Sequence, residues 1–470
     1  MEEDMIPVLE NRWILKDNTL KYYGLRNKPN TFKNTIKVSS KTAKIIKEFN
    51  KINDISQIRI NNQIKTLINK KVIVDKKLKK STPSKIDNAI FCKKCCLNDY
   101  IVPGIEFDKE GICPVCANMQ KFKKIKDVIP VVNKIEQDKK SDYDIALFYT
   151  GGKDSTFLLY YLAKVLNLKV LALTWQTPFM SLNAINSMNN AKSIFANVHF
   201  ITKKLDIKDQ KAIYKKSYDL MNNTCICPFA AYPLFIDLLR KYKIKYLVLG
   251  NEPAQPLNLI FNKLAPKIFY YPFFQASFRV AFNMLRIIMG RRPLKKGQIE
   301  MLLLLETLAF GKPSLIKAKT VRNPLIRNIY ESLKEADSLM HKFQQTVTKS
   351  SEDNNIPALI HMDFNDITKN KYIWKDIKTL LIENAGWEDV NIENKGLHTS
   401  CKIEKCKEYS QFQSFKNMDT DIIPFSAIEL SIAINMGSVS REEAIIEIKE
   451  NSGFFDYIPE ETAIMIDSFK

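Results

Sequence analysis

Four short apolar runs, separated by stretches of helical spacing, stand out between residues 140 and 260. They are rich in the β-branched and large apolar residues that strands favour. The runs are Ile145–Tyr149, Lys169–Trp175, Val198–Thr202 and Tyr246–Gly250. Because strands that alternate with helices pair in parallel through right-handed crossovers, the pattern predicts an α/β domain with a doubly wound parallel sheet.

The first ninety residues show a different pattern of short strands and helices. We predict a β element at Arg12–Tyr23, helices at Ser39–Phe49 and Asn62–Asn69, and a wing strand at Val72–Val74. Residues 79–84 have the composition of a linker. This order resembles the small winged-helix module, similar to PqqD, that holds leader peptides. A DNA-binding winged helix and a simple docking domain fit the same pattern.

Two further apolar stretches follow the sheet region. Tyr271–Gly290 is interrupted by Arg279 and Arg286, and Ile299–Phe310 is only twelve residues long. Neither supplies the ~20 uninterrupted apolar residues of a membrane span, so no transmembrane segment is predicted. We interpret both as core helices or as walls of a substrate channel, with an amphipathic surface helix as the alternative.

The charge of the chain is strongly positive and unevenly placed. The formal net charge is +21 over 470 residues, a length that corresponds to about two to four domains. Between Phe261 and Tyr330, thirteen Lys or Arg stand against two Glu, a net of +11. This excess favours acidic partners such as tRNA, an acidic carrier protein, a nucleotide-linked sugar or an anionic membrane surface. A general Lys-rich composition would produce a basic surface as well.

A Gly-rich turn, Thr-Gly-Gly-Lys-Asp-Ser at residues 150–155, follows the first predicted strand and precedes a helical pattern. Gly151 and Gly152 let the backbone approach phosphate oxygens that a Cβ atom would block. The N-terminal N–H groups of the next helix attract anions. The position and composition of this turn therefore predict a nucleotide-phosphate site.

Three side chains of the turn can bind a nucleotide, a metal ion or the helix backbone. Lys153 supplies a positive charge, Asp154 can hold Mg²⁺, and Ser155 can cap the helix or bond a phosphate. The turn is neither a Walker A loop nor a Gly-x-Gly-x-x-Gly loop. A plain Gly-Gly turn with solvated charges is the structural alternative.

The turn resembles the Ser-Gly-Gly-x-Asp-Ser PP-loop of the N-type ATP pyrophosphatases, with Thr150 in place of Ser. The resemblance implies an enzyme that binds ATP and lets a carbonyl-type oxygen of the substrate attack the α-phosphate. Pyrophosphate then leaves, and nitrogen or sulfur displaces AMP. Lys153 and Asp154 are the implied catalytic residues of the turn. Gly250 and Asn251, at the end of the fourth strand, are expected to complete the ATP site.

Four cysteines form a second signal, because Cys92 and Cys95 make one Cys-x-x-Cys knuckle and Cys113 and Cys116 make another after seventeen residues. Two such knuckles predict a tetrahedral Zn²⁺ site in a zinc ribbon. Disulfides are the main alternative. No signal peptide opens the sequence, and we expect a cytoplasmic protein with reduced thiols. Cys96 is interpreted as a neighbour without a metal role.

The ribbon followed by a PP-loop is similar to the N-acetyl sugar amidotransferases. The shared features include the Pro-Gly-Ile-x-Phe-Asp segment at residues 103–108, the cysteines at 225 and 227, and the Gly-x-x-x-Arg-Glu-Glu-Ala segment at 437–444. The resemblance implies conversion of an acetamido group into an acetamidino group. The chain lacks a recognisable glutaminase domain, so ammonia would come from a separate glutaminase subunit.

The chain departs from that family at several cysteines. A single residue separates Cys225 from Cys227, and two further thiols appear at Cys401 and Cys406. Some sulfur-inserting PP-loop enzymes use cysteines near ATP as a persulfide carrier or as ligands of a 4Fe-4S cluster. Cys225, Cys227 and Cys401 are therefore candidate catalytic residues for sulfur transfer, with a sulfur donor protein as partner. A second zinc site and inert buried thiols are the alternatives.

These observations predict five regions. They are a winged-helix or PqqD-like module (1–84), a zinc ribbon (88–122), the PP-loop core (140–260), a basic region for substrate or partner (261–390) and a C-terminal segment that completes the core (391–470). The main functional hypothesis is adenylation of a small or carrier-bound acidic substrate followed by nitrogen transfer. Sulfur transfer to a peptide-bound or carrier-bound product or to tRNA is the first alternative. A nucleic-acid-binding regulator is the second.

Overall fold

A computed structural model describes the chain at residues 5–26, 35–51, 54–122, 135, 141–177, 179–221, 226–252, 254–261, 272–313, 324–369, 371–389 and 402–451. The chain folds into two compact units. The first comprises Met1–Gln120, Gln411–Asn435 and Arg441–Phe455, and the second comprises Lys121–Ser410, Met436–Ser440 and Asp456–Lys470. The first unit is therefore assembled from three separate stretches of sequence.

The first unit begins with short antiparallel strands and three helices. They are β1 (Pro7–Leu9), β2 (Trp13–Lys16), β3 (Thr19–Tyr22), β4 (Thr35–Lys37), α1 (Ser40–Lys47), α2 (Asn62–Asn69), β5 (Ile73–Asp75) and α3 (Pro114–Phe122). Strands β2, β3 and β4 form one sheet, and β1 pairs with β5. Ser39 and Asn61 cap α1 and α2 through their side-chain oxygens, which satisfies N–H groups in the first turns.

The predicted elements of the first ninety residues are present at or near their expected positions. The hairpin β2–β3 lies within the predicted β element, and α1 and α2 lie where the helical spacing predicts them. The wing strand, β5, pairs with β1, a strand that the sequence analysis does not predict. This arrangement does not distinguish a winged helix from another small docking module, so the winged-helix assignment stays a prediction.

The second unit is built on a five-stranded parallel sheet. Its strands are β6 (Ile145–Phe148), β7 (Val170–Trp175), β8 (Val198–Lys203), β9 (Tyr246–Asn251) and β10 (Ala358–Asp363). The order across the sheet is β10-β9-β6-β7-β8, and every pairing is parallel. Every residue of β7 is buried, as expected for a strand covered on both faces. The predicted parallel α/β sheet is confirmed.

The fifth strand comes from a part of the chain that the sequence analysis assigns to a separate basic region, 261–390. Strand β10 pairs along its whole length with β9, from Ala358 opposite Tyr246 to Asp363 opposite Asn251. Buried and half-buried residues alternate along it, as expected for a strand at the edge of a sheet. The sheet domain therefore extends beyond the predicted boundary at residue 260.

Eleven helices connect or follow these strands within the described residues. They are α4 (Lys153–Tyr160, continued by a π-helical turn at Tyr161–Val165), α5 (Leu182–Ile194), α6 (Ile207–Met221), α7 (Cys227–Lys241), α8 (Ala254–Phe261), α9 (Pro272–Ile288), α10 (Gln298–Phe310), α11 (Pro324–Leu333), α12 (Asp337–Asp353), α13 (Phe364–Ile367) and α14 (Trp374–Ala385). Helices α6, α7, α10, α11 and α12 share one apolar core with the sheet. Helix α14 packs against α4 and α5.

The chain ends, within the described residues, in helices α15 (Lys402–Lys416), α16 (Phe425–Met436) and α17 (Arg441–Glu450). The sequence predicts that residues 391–470 complete the sheet domain. The structure instead assigns Gln411–Asn435 and Arg441–Phe455 to the first unit. Polar contacts join these helices to the N-terminal part of the first unit. Arg441 donates to the carbonyl of Cys92, and Arg12 donates to the carbonyls of Phe415 and Lys416.

Helix α9 is fixed to the second unit by a buried cation. The side chain of Arg286 is fully buried, and burial lowers its pKa. Its guanidinium donates to the carbonyls of Arg292 and Ser351 and to the side-chain oxygen of Asn354, at 2.8–3.0 Å. Among the described residues, no helix combines the length and apolar character needed to cross a membrane.

Replacement of Arg286 by Leu is expected to lower the free energy of unfolding by about 2–4 kcal/mol, because one buried and two part-buried acceptors would lose their donor. Chemical denaturation followed by circular dichroism would measure this change. Arg292→Leu is the matched control, since the Arg292 side chain is exposed, and it should change stability by less than about 0.5 kcal/mol. Equal effects of the two substitutions would contradict the prediction.

Candidate functional site

The site lies where the strand order of the sheet reverses. Strands β6 and β9 are neighbours, although the crossover from β6 leads to β7 on its other side. At such a switch point the loops after the two strands diverge and leave a crevice at the carboxyl edge of the sheet. The turn at residues 150–155 follows β6, and Glu252 follows β9. The topology therefore brings the predicted phosphate turn to the usual ligand position of an open α/β sheet.

The backbone of the turn requires glycine at one position. Gly151 has φ of +72°, and a Cβ atom there would collide with the carbonyl oxygen of Ala184. Left-handed backbone without a side chain is the condition under which consecutive N–H groups can face an anion. Gly152 is the N-cap residue of α4 and makes no side-chain cap. The N-terminus of α4 therefore presents its dipole at the crevice.

Two hydroxyl groups close the turn. The hydroxyls of Thr150 and Ser155 lie 3.0 Å apart, and Ser155 Oγ accepts from the N–H of Thr150 at 3.2 Å. Ser155 also donates to the carbonyl of Gly152 at 3.1 Å. The Thr150 hydroxyl therefore links the start of the turn to Ser155 at its end.

Lys153, the first residue of α4, points into a negatively charged environment. Its ammonium pairs with Glu252 and lies 3.0 Å from both Asp154 Oδ1 and the Tyr372 hydroxyl. Only 14% of the Lys153 side chain and 1% of the Glu252 side chain are exposed. Burial alone would lower the pKa of Lys153, but the carboxylates of Asp154 and Glu252 outweigh it and raise the pKa. Lys153 is therefore held as a buried cation at the switch point.

Asp154 is oriented by two polar neighbours. The hydroxyl of Tyr372 donates to Asp154 Oδ1 at 3.0 Å, and the amide of Gln255 lies 3.4 Å from Oδ2. Burial and the nearby carboxylates raise the pKa of Tyr372 well above its usual value, so the phenol keeps its proton and acts as a donor. The Asp154 carboxylate is half-exposed at the crevice and has the oxygen ligands that Mg²⁺ prefers.

Aromatic rings form one wall of the site. The Tyr372 ring packs against the rings of Phe157 and Phe364 with centroids 5.7 and 5.2 Å apart. The ammonium of Lys153 lies over the rings of Tyr372 and Trp374, 5.0 and 5.2 Å from their centroids. Rings at this distance attract a cation, so they add to the position fixed by the carboxylates.

Two other predicted site residues contact β10 or the residue that follows it. Gly250 lies against Phe364, whose ring atom Cε1 would be 2.5 Å from a Cβ atom at that position. The side chain of Asn251 hydrogen-bonds His361 Nε2 on the neighbouring strand β10. Close packing explains the glycine without any ligand. The roles of Gly250 and Asn251 in cofactor binding stay predictions.

Several residues of this site are missing from the sequence-based set. They are Glu252, Gln255, His361, Tyr372 and Trp374. Glu252 and Gln255 lie in the segment after the fourth predicted strand, where open α/β sheets bind ligands. The other three could be found only through β10, whose alternating pattern Ala-Leu-Ile-His-Met-Asp at residues 358–363 is the one indication in the sequence.

The structure describes the cysteines proposed for sulfur chemistry only in part. Cys225 and Cys401 lie outside the described residues, as do the side chains of Cys227 and Cys406. The backbone of Cys227 begins α7. Because α7 leads into the parallel strand β9, its N-terminus lies at the carboxyl edge of the sheet. Cys227 is therefore at the same edge as the phosphate turn.

In the first unit, the two predicted cysteine knuckles come together. The sulfur atoms of Cys92, Cys95, Cys113 and Cys116 all lie within 4.8 Å of one another, and all four residues are buried. Cys92 Sγ is 3.9 Å from Cys116 Sγ, and Cys95 Sγ is 3.6 Å from Cys113 Sγ. Cys96 is also buried but is not a member of this group. The four sulfurs form a group that could hold a metal ion.

Backbone and side-chain donors surround the sulfur group. The N–H groups of Lys94 and Cys113 point to Cys92 Sγ at 3.4 and 3.2 Å, and the amide of Asn435 donates to Cys116 Sγ at 3.0 Å. Hydrogen bonding with Cys113 lowers the pKa of Cys92 and Cys116, whereas burial raises the pKa of Cys95 and hydrogen bonding with Cys116 raises the pKa of Cys113. Donors aimed at sulfur favour the thiolate form, which is the form that binds metals.

No family model matches the chain, and no curated protein matches its sequence. One solved structure with detectable similarity is the U34-tRNA thiolase NcsA from Methanococcus maripaludis with its 4Fe-4S cluster. The two chains are 15% identical, the match covers 56% of this chain and 89% of that chain, and the TM-score is 0.23. A similarity of this extent establishes neither the family nor the activity of this chain.

Replacement of Cys95 by Ala is expected to abolish stoichiometric metal binding, because a site of four thiolates would lose one ligand. Elemental analysis of the purified chain would measure the metal content. Cys96→Ala provides a matched control at the adjacent buried position and should keep the metal. Retention of metal by both variants, or its loss from both, would refute the assignment of Cys95 as a ligand.

Proposed function

We propose that this chain is an ATP-dependent adenylating enzyme that activates a carbonyl or amide oxygen of an acidic substrate. The observation that carries the proposal is the combination, at the switch point, of a glycine-dependent turn, an uncapped helix N-terminus and the buried cation Lys153. Each of these favours phosphate, and together they supply backbone N–H groups and charge on one side of the crevice.

The pairing of Lys153 supports a specific role in this reaction. Its ammonium is paired with the carboxylates of Asp154 and Glu252. Phosphate oxygens would compete for the same ammonium, and Asp154 would hold Mg²⁺, which reduces the negative charge of the triphosphate. Lys153 would then stabilise the charge that develops on the phosphates as the bond to pyrophosphate breaks.

The proposed reaction has two steps. The substrate oxygen attacks the α-phosphorus, a new oxygen–phosphorus bond forms, and pyrophosphate leaves with the bridging oxygen. A nucleophile then attacks the activated carbon, and AMP leaves with the former substrate oxygen. Nitrogen from ammonia would give an amidine, in accord with the resemblance to N-acetyl sugar amidotransferases. A glutaminase subunit would then be the partner that supplies ammonia.

Sulfur transfer is the second candidate, and the position of Cys227 favours it. The residue begins α7 at the sheet edge that carries the phosphate turn. A persulfide on one of Cys225, Cys227 and Cys401 would attack the activated carbon with its outer sulfur as AMP leaves. A second of these thiols would then attack the enzyme sulfur, form a disulfide with it and release the thiocarbonyl product. Alternatively, the three thiols would hold a 4Fe-4S cluster that would supply sulfide. The net charge of +11 between Phe261 and Tyr330 suits an acidic substrate, of which tRNA is one example.

We propose that the four-cysteine group of the first unit holds structural zinc. Ligands at ~2.3 Å in a tetrahedron would place sulfur atoms about 3.8 Å apart. The sulfur–sulfur distance is 3.6 Å between Cys95 and Cys113 and 3.9 Å between Cys92 and Cys116, on either side of this value. An iron–sulfur cube would bind each thiolate at a separate corner and hold the sulfurs farther apart. The site would stabilise the fold, since four protein ligands leave no open position for substrate.

Replacement of Lys153 by Met is expected to weaken binding of ATP with Mg²⁺ by about 10- to 100-fold, because a charge-assisted contact to phosphate is lost. Isothermal titration calorimetry would measure the affinity. Lys164→Met is the matched control, since Lys164 is exposed in the π-helical continuation of α4. Slow turnover of ATP without substrate should yield AMP and pyrophosphate, whereas ADP and phosphate as products would rule out adenylation.

The nucleophile can be assigned by counting zinc, iron and labile sulfide in protein purified without oxygen. Zinc alone, with ammonia-dependent release of AMP in the presence of substrate, would support nitrogen transfer. Iron with labile sulfide that is lost in Cys227→Ala but kept in Cys96→Ala would support sulfur transfer. Iron lost in Cys95→Ala instead would place the cluster in the first unit and overturn the zinc assignment.

A further inference from the structure

Helix α9 has most of its polar side chains facing the protein, and Ser277 is the exposed exception. Gln275 and Arg286 are buried, and Arg279 pairs with Glu300 at 2.6 Å. The side chain of Asn283 bonds both the N–H and the carbonyl of Leu294, each at 2.9 Å. These bonds fix the rotation of the helix about its axis, because any large rotation would break them and leave buried polar groups without partners.

The opposite side of α9 is apolar and faces outward. Its residues, with their exposed fractions, are Phe273 (76%), Phe274 (54%), Val280 (61%), Met284 (60%), Leu285 (46%), Ile287 (59%) and Ile288 (80%), followed by Met289 (55%). We call this set the α9 outer face. It contains no charged residue, although water-facing sides of helices are normally the polar ones. A contiguous apolar surface of this kind marks a site that another apolar phase covers.

Cations border the α9 outer face at its C-terminal end. Gly290 ends the helix, and Arg291, Arg292, Lys295 and Lys296 follow within six positions. Arg292, Lys295 and Lys296 are exposed, whereas Arg291 donates to Ser351. No acidic residue occurs from Pro272 to Ile299. Within this segment, the charged residues that follow the apolar face are therefore all positive.

This charge distribution identifies the kind of occupant. A second copy of the chain would bring two sets of like charges to one symmetric interface, which is unfavourable. The surface of an anionic bilayer offers an apolar layer for the α9 outer face and negative headgroups for the adjacent cations. Seventeen helical residues extend only about 25 Å, less than the ~30 Å of a hydrocarbon core. Such a helix would lie along the membrane plane.

We infer that the α9 outer face and the cations that follow it dock this enzyme on an anionic lipid surface. The inference does not depend on adenylation or on the identity of the nucleophile. It explains why a helix anchored by three polar side chains presents its apolar side to solvent. Docking of this kind would be reversible and sensitive to salt, because it combines modest apolar burial with electrostatic attraction.

Vesicle co-sedimentation of the full chain tests the inference. The protein should bind vesicles of phosphatidylcholine containing phosphatidylglycerol more tightly than vesicles of phosphatidylcholine alone, and added salt should weaken binding. The variant Val280→Ser/Met284→Ser/Ile288→Ser should bind at least about 100-fold more weakly, because three exposed apolar side chains are lost from the contact. Arg292→Gln/Lys295→Gln should weaken binding to the anionic vesicles about tenfold or more.

A matched control replaces three exposed apolar residues outside α9. Leu78→Ser/Leu182→Ser/Ile446→Ser alters side chains that are 71%, 70% and 55% exposed and should leave vesicle binding unchanged. Absence of binding to anionic vesicles, or equal loss in the α9 variant and the control, would overturn the inference. So would a dimer in analytical ultracentrifugation that the α9 variant dissociates, because the face would then belong to a second copy.

Discussion

The ion pair between Lys153 and Glu252 is the interaction on which the candidate site depends. It joins the loop after β6 to the end of β9, across the point where the strand order reverses. A carboxylate as buried as Glu252 needs a cation beside it, since an unpaired charge in the interior is costly. In the proposed function, the phosphates of ATP would contact this same cation.

The first unit depends on a different kind of constraint, in which polar groups join distant parts of the chain. Asn435 and Arg441, on C-terminal helices, bond Cys116 and Cys92 of the two knuckles. Arg12, near the other end of the chain, donates to carbonyls at the end of α15. Burial lowers the pKa of Arg12 to about 10, so the guanidinium remains charged near neutral pH. Two C-terminal helices of the first unit thus contact the cysteine group directly.

The sequence predicts features whose cause is local. Buried strands appear as apolar runs, the Gly151 turn requires residues without side chains, and paired cysteines at fixed spacing converge on one point. It does not predict β10, because an edge strand has only alternating burial and lies in a region dominated by charge. Tyr372 reaches Lys153 only through the packing of that strand and the helices after it. The pattern of α9 likewise indicates an amphipathic helix without indicating which side faces the protein.

The division of the first unit between the two ends of the sequence has a consequence for biosynthesis. Its N-terminal part ends at Gln120, and its next part begins at Gln411. Translation at ~5–20 residues per second requires roughly 15–60 s to cross that interval. During this time Cys92 and Cys116 have been synthesised, but the helices that bear Asn435 and Arg441 have not. Early capture of a metal ion by the nascent chain would protect these thiols from oxidation until the unit is complete.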